Sequence, residues 1–146
     1  MNYRIEYENW ILSPALSKEG ADELKAIEQN EKEKEYRFGA ELQFGTAGMR
    51  GLIGMGTNVM NVYTVKRATK GLAEYIKASG EDAVKRGVAI SYDTRRKSTE
   101  FALAAAGVLV KEGITVRLYA EPRPVPMLSY AVRKLDCFAG IMKTAS

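Results

Sequence analysis

Between Gly87 and Met142 the hydrophobic period of the chain switches back and forth, and this alternation limits the fold more than any other feature of the sequence. GVAISYD is a short β-branched run, the pattern of a buried strand. STEFALAAAGVLVKEG places Phe101, Ala105, Val108 and Leu109 on one side of a helix, with Ser98 as N-cap, Glu100 in the first turn and Gly113 at the end. ITVRLYA sets Ile114, Val116 and Leu118 against Thr115, Arg117 and Tyr119 at period two, which predicts a strand. PVPMLSYAVRKLD reads as a helix opened by proline, and CFAGIM as a last strand. Strand–helix–strand–helix–strand implies parallel pairing through right-handed crossovers, with helices on both faces. The predicted class is α/β: a three-layer α/β/α sandwich with a mixed, largely parallel sheet. In open sheets of this kind sites form at the carboxyl ends of strands. That marks Tyr92-Asp93-Thr94-Arg95, the turn EPRPVP, and Lys143-Thr144-Ala145-Ser146.

Upstream, Val65, Ala68, Leu72, Tyr75 and Ile76 repeat at helical spacing through YTVKRATKGLAEYIKAS, with Gly80 as a stop. Residues 1–40 read as a helical arm, and residues 41–146 as the main domain. In the arm, Ser13-Pro14 is expected to cap a helix whose sparse stripe is Leu16, Leu24 and Ile27. That helix is expected to end near Phe38-Gly39, where the glycine is free to take a positive φ. Between arm and helix, Gly45, Gly48, Gly51, Gly54 and Gly56 fall within twelve residues, a density that means tight turns or backbone pressed close to something.

The composition excludes several classes of function. The 146 residues contain no histidine and one cysteine, which removes the commonest general base and leaves no ligand set for a structural zinc. Cys137 sits among small and apolar residues and reads as a core thiol. No apolar run approaches the ~18–20 residues of a membrane span, and the charged start MNYRIEYENW has no signal-peptide h-region. A reducing cytoplasm is the compartment this predicts. The net charge is +4, but the basic residues are scattered and alternate with acids in EQNEKEKEYRFG. That is the pattern of a solvated helix face, so neither nucleic acid nor membrane is expected as a partner.

Two loops carry the residues that could do chemistry. FGTAGMRG lacks the ending of a Walker A loop and the spacing of a dinucleotide fingerprint. It is either a plain turn or a loop in which Gly45 and Gly48 let backbone N–H groups approach an anion while Arg50 supplies charge. In YDTRRKS, Asp93, Arg95 and Arg96 stand at a strand end, either as a phosphate or sugar contact or as an ion pair that fixes the turn. Ser146 has no base in this chain and fails as an ordinary hydrolase nucleophile. A serine that carries a phosphoryl group needs cations and N–H groups instead of a triad.

FGTAGMRG, then NVYTVKRATKGLAEYI, then VAISYDTRRKS, then PMLSYAVRKLDCFAGIMKTAS together resemble the opening domain of the α-D-phosphohexomutases. The nearest branch is the phosphoglucomutase/phosphomannomutase-like group that also contains phosphopentomutase-type enzymes. The resemblance runs from about Glu41 to Ser146 and extends to the arm with its Trp10. In that family the last motif reads Thr-Ala-Ser-His-Asn-Pro. Its serine is phosphorylated, and the phosphate helps to hold Mg²⁺. The resemblance therefore implies that Ser146 is the catalytic serine and, through its phosphate, a metal ligand, and that Arg50 faces it. It implies a chain that stops at the catalytic serine, the first of four domains, inactive by itself and exposing apolar surface through which it self-associates. The implied activity of the whole is intramolecular phosphoryl transfer on a sugar phosphate.

Two positions depart from the family pattern. Lys143 stands where an apolar residue or threonine is usual, and Val125 where threonine is usual between prolines. Two rival readings stay open: a non-catalytic module that binds a partner or a phosphosugar, and an unrelated nucleotide-binding α/β domain.

Overall fold

The computed structural model describes residues 1–46 and 48–143. The chain divides into two compact units, Met1–Thr64 and Val65–Ser146. The division falls within the fourth helix, whereas the sequence suggested a boundary after residue 40.

The first unit holds three short helices, α1 (Tyr3–Ile11), α2 (Lys18–Ala26) and α3 (Glu31–Phe38); α2 and α3 stand where one long helix from Ser13-Pro14 to Phe38 was expected, and α1 precedes it. The cause is local capping. Asn2, Ser17 and Asn30 each turn a side-chain oxygen onto the free N–H groups of the turn that follows. Ser13-Pro14 caps nothing; it lies in the connection between α1 and α2, where Ser13 Oγ accepts from Ala15 N at 3.3 Å. Tyr7, Leu24 and Phe38, one from each helix, form a buried core with Trp10, Leu16, Ile27 and Met55 packed around it. Tyr7 and Trp10 both meet the Phe38 ring edge-on, at 5.7 and 5.6 Å between centroids. The expected end at Phe38-Gly39 holds, but Gly39 keeps a helical φ of −77°. Its glycine is needed for room, because a Cβ there would sit 2.5 Å from the Glu35 carbonyl oxygen.

The unit continues into two two-residue strands, β1 (Phe44–Gly45) and β2 (Gly48–Met49), paired antiparallel. Helix α4 (Val62–Ala78) follows. Within it Val65, Thr69, Ala73 and Ile76 are buried, while Tyr75, expected on the apolar stripe, is 65% exposed. A short α5 (Glu81–Arg86), not foreseen, leads into the sheet.

The second unit is the predicted alternation: β3 (Val88–Tyr92), α6 (Ser98–Lys111), β4 (Val116–Leu118), α7 (Val125–Lys134) and β5 (Ala139–Lys143). The sheet order is β4-β3-β5 and every pair is parallel. Among the described residues antiparallel pairing is confined to β1 and β2. All five residues of β3 are buried, as a central strand covered on both faces requires. The chain steps from β3 to β4 in one direction and from β4 to β5 in the other, so right-handed crossovers put α6 and α7 on opposite faces. Ala89 packs with Leu128 and Cys137 on the α7 side, where Cys137 is a buried core thiol as expected. A Cβ on Gly140 would meet Val132 at 2.8 Å, so only glycine lets α7 lie this close to β5. Phe101, Ala105 and Leu109 form the buried side of α6.

In the second unit, too, a cap differs from expectation. Ser98 is the first residue of α6, and the N-cap position belongs to Lys97, which adopts a left-handed φ of 68°.

Candidate functional site

The glycine-rich segment of the first unit has a locked base and an open tip. At the base, Leu42 N donates to Thr57 O at 2.9 Å and Met60 N to Leu52 O at 2.7 Å. The buried Asn61 amide donates to the carbonyls of Gly54 and Gly56 at 2.8 and 2.9 Å. Arg37 braces the same turn from α3: its guanidinium bonds Glu33 at 2.7 Å and Glu23 at 2.5 Å, and Glu23 in turn accepts from Met55 N at 2.9 Å. Desolvation opposes the Arg37 charge, but the hydrogen bonds to Glu33 and Glu23 outweigh it and raise the pKa above the ordinary value. These bonds satisfy the backbone of a segment too rich in glycine to hold itself by side-chain packing.

The tip differs. Gly45 and Gly48 oppose each other across the β1–β2 pair, and Gly48 has φ +96° with nothing within 4 Å of where its Cβ would be. Next to it, Arg50 is exposed, and its side chain makes no hydrogen bond or ion pair with the described residues. A permanently charged, planar donor beside an unobstructed glycine backbone is an arrangement that can receive an anion.

The strand ends of the second unit are stitched together. Asp93 N donates to Lys143 O at 3.1 Å, and Arg123 N to Tyr92 O at 3.0 Å. Ser91 Oγ donates to Arg123 O at 3.0 Å, tying the EPRPVP turn to the end of β3. The Asp93 carboxylate accepts from Arg95 N at 3.0 Å and from Ser98 Oγ at 2.6 Å, with Arg95 Nε 3.6 Å away. Of the two readings for Asp93 and Arg95, the turn-fixing one is thus realised. Arg96 is exposed beside them.

Lys143, the last residue of β5, is opposite Tyr92 in the parallel register. Met142 packs on the α7 side with Leu128 and Cys137, so strand alternation directs Lys143 toward the α6 face. It is half-buried and pairs with no acid among the described residues. Burial alone lowers its pKa.

The structure thus brings Asp93, Arg123 and Lys143 to one end of one sheet, while Arg50 belongs to the other unit. Thr144, Ala145 and Ser146 lie outside the described residues, and with them the expected meeting of Arg50 and Ser146. The sequence reading missed the Ser98–Asp93 bond and the Arg37–Glu23–Glu33 brace. Only the Glu33–Arg37 spacing of four on a helix signalled either of them. Among the described residues no group of three or more Asp, Glu, Cys or His could hold a metal ion, and the Asp93 carboxylate is already committed to Arg95 and Ser98. The described residues therefore offer Mg²⁺ no ligand set. Among them, too, no helix is long and apolar enough to cross a membrane.

A parallel sheet with α6 and α7 on its opposite faces is the architecture of an α/β/α domain. Residues 41–146 match the family described as phosphoglucomutase/phosphomannomutase, alpha/beta/alpha domain I. The chain is 42% identical to a phosphoglucomutase of Staphylococcus aureus (strain USA300) over 144 residues, which is 97% of this chain and 25% of that protein. It is 38% identical to a phosphopentomutase of Pongo abelii over 125 residues, 82% of this chain and 20% of that protein. No solved structure matches it. The chain belongs to the phosphoglucomutase/phosphomannomutase family, and it spans a quarter or less of the length of these relatives.

Proposed function

We propose that this chain is the phosphoserine-bearing domain of an enzyme that moves a phosphoryl group between two hydroxyls of one sugar phosphate, as in glucose 1-phosphate to glucose 6-phosphate. Residues 1–40 are its helical arm and residues 41–146 its domain I. In this reading Ser146 carries the phosphoryl group. The P–O bond to Ser146 breaks as a P–O bond forms to the free sugar hydroxyl, whose proton leaves to a base outside this chain, while the departing Ser146 oxygen keeps the electron pair and takes a proton from an acid outside this chain. The bisphosphorylated sugar reorients and returns its other phosphoryl group to Ser146. Arg50 is the residue assigned to hold the phosphoryl oxygens, by charge-assisted hydrogen bonds that need no proton transfer. Magnesium, if held through the phosphate of Ser146, would supply positive charge against the phosphoryl group. The reading also places the protein in the cytoplasm, and it expects no turnover from these 146 residues alone, because they contain no histidine to serve as base.

The observation that carries the reading is the family match over residues 41–146, in which the open, unpaired Arg50 belongs to the glycine loop. A chimera tests it. This chain replaces the corresponding N-terminal quarter of the S. aureus phosphoglucomutase, to which it is 42% identical. The expected result is mutase activity in a coupled assay, lost on Ser146→Ala, with mass spectrometry finding the phosphoryl group on Ser146. A folded chimera without activity, or one that Ser146→Ala leaves active, overturns the proposal. Turnover by the chain alone overturns its expected inactivity.

A further inference from the structure

Helix α6 carries no polar side chain from Phe101 to Val110, ten residues in succession. A helix apolar on all sides is ordinarily buried on all sides. This one is not. Phe101, Ala102, Ala105 and Leu109 face the core, while Leu103 is 56% exposed, Val110 is 62% exposed, and Gly107 between them is exposed as well. Glu100, Leu103, Gly107 and Val110 follow one another at spacings of three, four and three, so they form a single seam of the kind that packs against another helix.

Gly107 is the informative residue. A glycine in the middle of a helix costs about 1 kcal/mol relative to alanine. Here the chain's own packing does not call for it, since nothing lies within 4 Å of where a Cβ would stand. Its absent side chain makes room for something from outside the chain.

We infer that the α6 seam is a self-association surface, on which a second copy of this chain docks its own α6 antiparallel. The seam is complementary to itself. In an antiparallel pair with its two-fold axis near Ala105, each Leu103 falls opposite the partner helix's glycine at position 107 and fills the space left there. The same register sets Glu100 beside position 111 of the partner helix, a lysine, at both ends. In the single chain Lys111 pairs with no acid among the described residues, and Glu100 bonds only Lys97 of its own first turn, at 2.9 Å. Such an exposed pair is easily exchanged for another. Knob against gap and acid against base, each repeated by the two-fold, is what an isologous interface requires. One helix pair makes a small interface, so the dimer is a weak one. The inference rests on α6 alone and does not depend on the mutase reading.

Sedimentation velocity of the purified chain from about 5 to about 500 μM tests it, a range suited to a weak complex. The expected result is a monomer–dimer equilibrium. Leu103→Lys is expected to abolish the dimer across that range, and Gly107→Val to weaken it by about tenfold or more. Both positions are open in the single chain, and circular dichroism melts confirm that each variant folds. Glu100→Lys and Lys111→Glu are each expected to weaken the dimer, and the double reversal to restore it. A monomer at every concentration overturns the inference. So does a dimer that Leu103→Lys and Gly107→Val leave unchanged.

Discussion

The Ser98 hydroxyl, fully buried at the start of α6, donates a 2.6 Å hydrogen bond to Asp93 Oδ1 just past the end of β3. One bond thereby fixes the loop between the sheet and α6, and Arg95 N on the same carboxylate oxygen tightens it. Ser98→Ala removes the donor from a buried position and leaves the carboxylate one partner short. The expected loss is about 1–2 kcal/mol in urea unfolding. An unchanged midpoint would mean that the remaining contacts hold the turn without Ser98.

Lys143 has the opposite sign. Its ammonium is half-buried on the α6 face with no acid beside it among the described residues, so replacing it by an apolar side chain of similar length removes a desolvation cost. Lys143→Met is expected to raise stability by about 1 kcal/mol. The pH dependence separates this from better packing. Burial lowers the folded-state pKa of Lys143 below its usual 10.5, so the unfolded chain binds the proton more tightly. The cost is present in full below the folded-state pKa and disappears as pH rises toward 10.5. The advantage of Lys143→Met over the parent chain should therefore shrink on the alkaline side. An advantage constant in pH would assign it to packing.

Glu112, just after α6, bonds Lys70, and also Lys77 at 2.9 Å, both on α4. The hydrogen bond from Lys70, then that from Lys77, lowers its pKa to about 2. A carboxylate with a depressed pKa stabilises the fold above its unfolded value of 4.5 and loses that contribution as pH falls toward 2. Glu112→Gln is thus expected to destabilise the chain at neutral pH, with the gap to the parent closing between pH 4.5 and 2. Added salt should narrow the gap at neutral pH. Thermal melts at matched pH and salt check both, and a gap indifferent to pH would remove the ion pairs from the explanation.

The second unit was legible because its signals are local and repeated. Each strand is a β-branched or alternating run, each helix is bounded by Pro or Gly, and the parallel order follows from chirality. The arm was misread because apolar spacing outweighed capping. Ser17 and Asn30 restart the helix twice, and the Asn30–Glu33 pattern was a start signal inside a charged run that looked continuous. Lys97 was missed as a cap because a left-handed lysine has no sequence signature. At the candidate site, the exposure of Arg50 and the turn-fixing role of Asp93 follow the expected residue types. Beyond the Glu33–Arg37 spacing of four, the sequence held no cue for the Arg37 brace, whose bonds to Glu23 and from Met55 to Glu23 join α2, α3 and the glycine segment across distant stretches of chain.

The glycine segment separates fold from function by position. Gly56 has φ +144°, and a Cβ there would lie 2.6 Å from the Arg37 carbonyl oxygen, inside the locked base. Gly56→Ala is expected to cost roughly 2–3 kcal/mol, because neither the backbone nor the braced Arg37 turn can yield. At Gly45 a Cβ would meet only Gly48 O at 3.5 Å, an ordinary contact, and Arg50 holds no partner among the described residues. Gly45→Ala and Arg50→Ala should therefore each leave stability within about 0.5 kcal/mol of the parent. In the active chimera the order is expected to invert. Gly45→Ala intrudes on the open tip and Arg50→Ala removes its charge, so both should cut turnover sharply while the melts stay put. If Arg50→Ala turns over normally, the arginine does not hold the phosphoryl group and the tip is an ordinary turn. If Arg50→Ala instead lowers the melting temperature by several degrees, its role is structural.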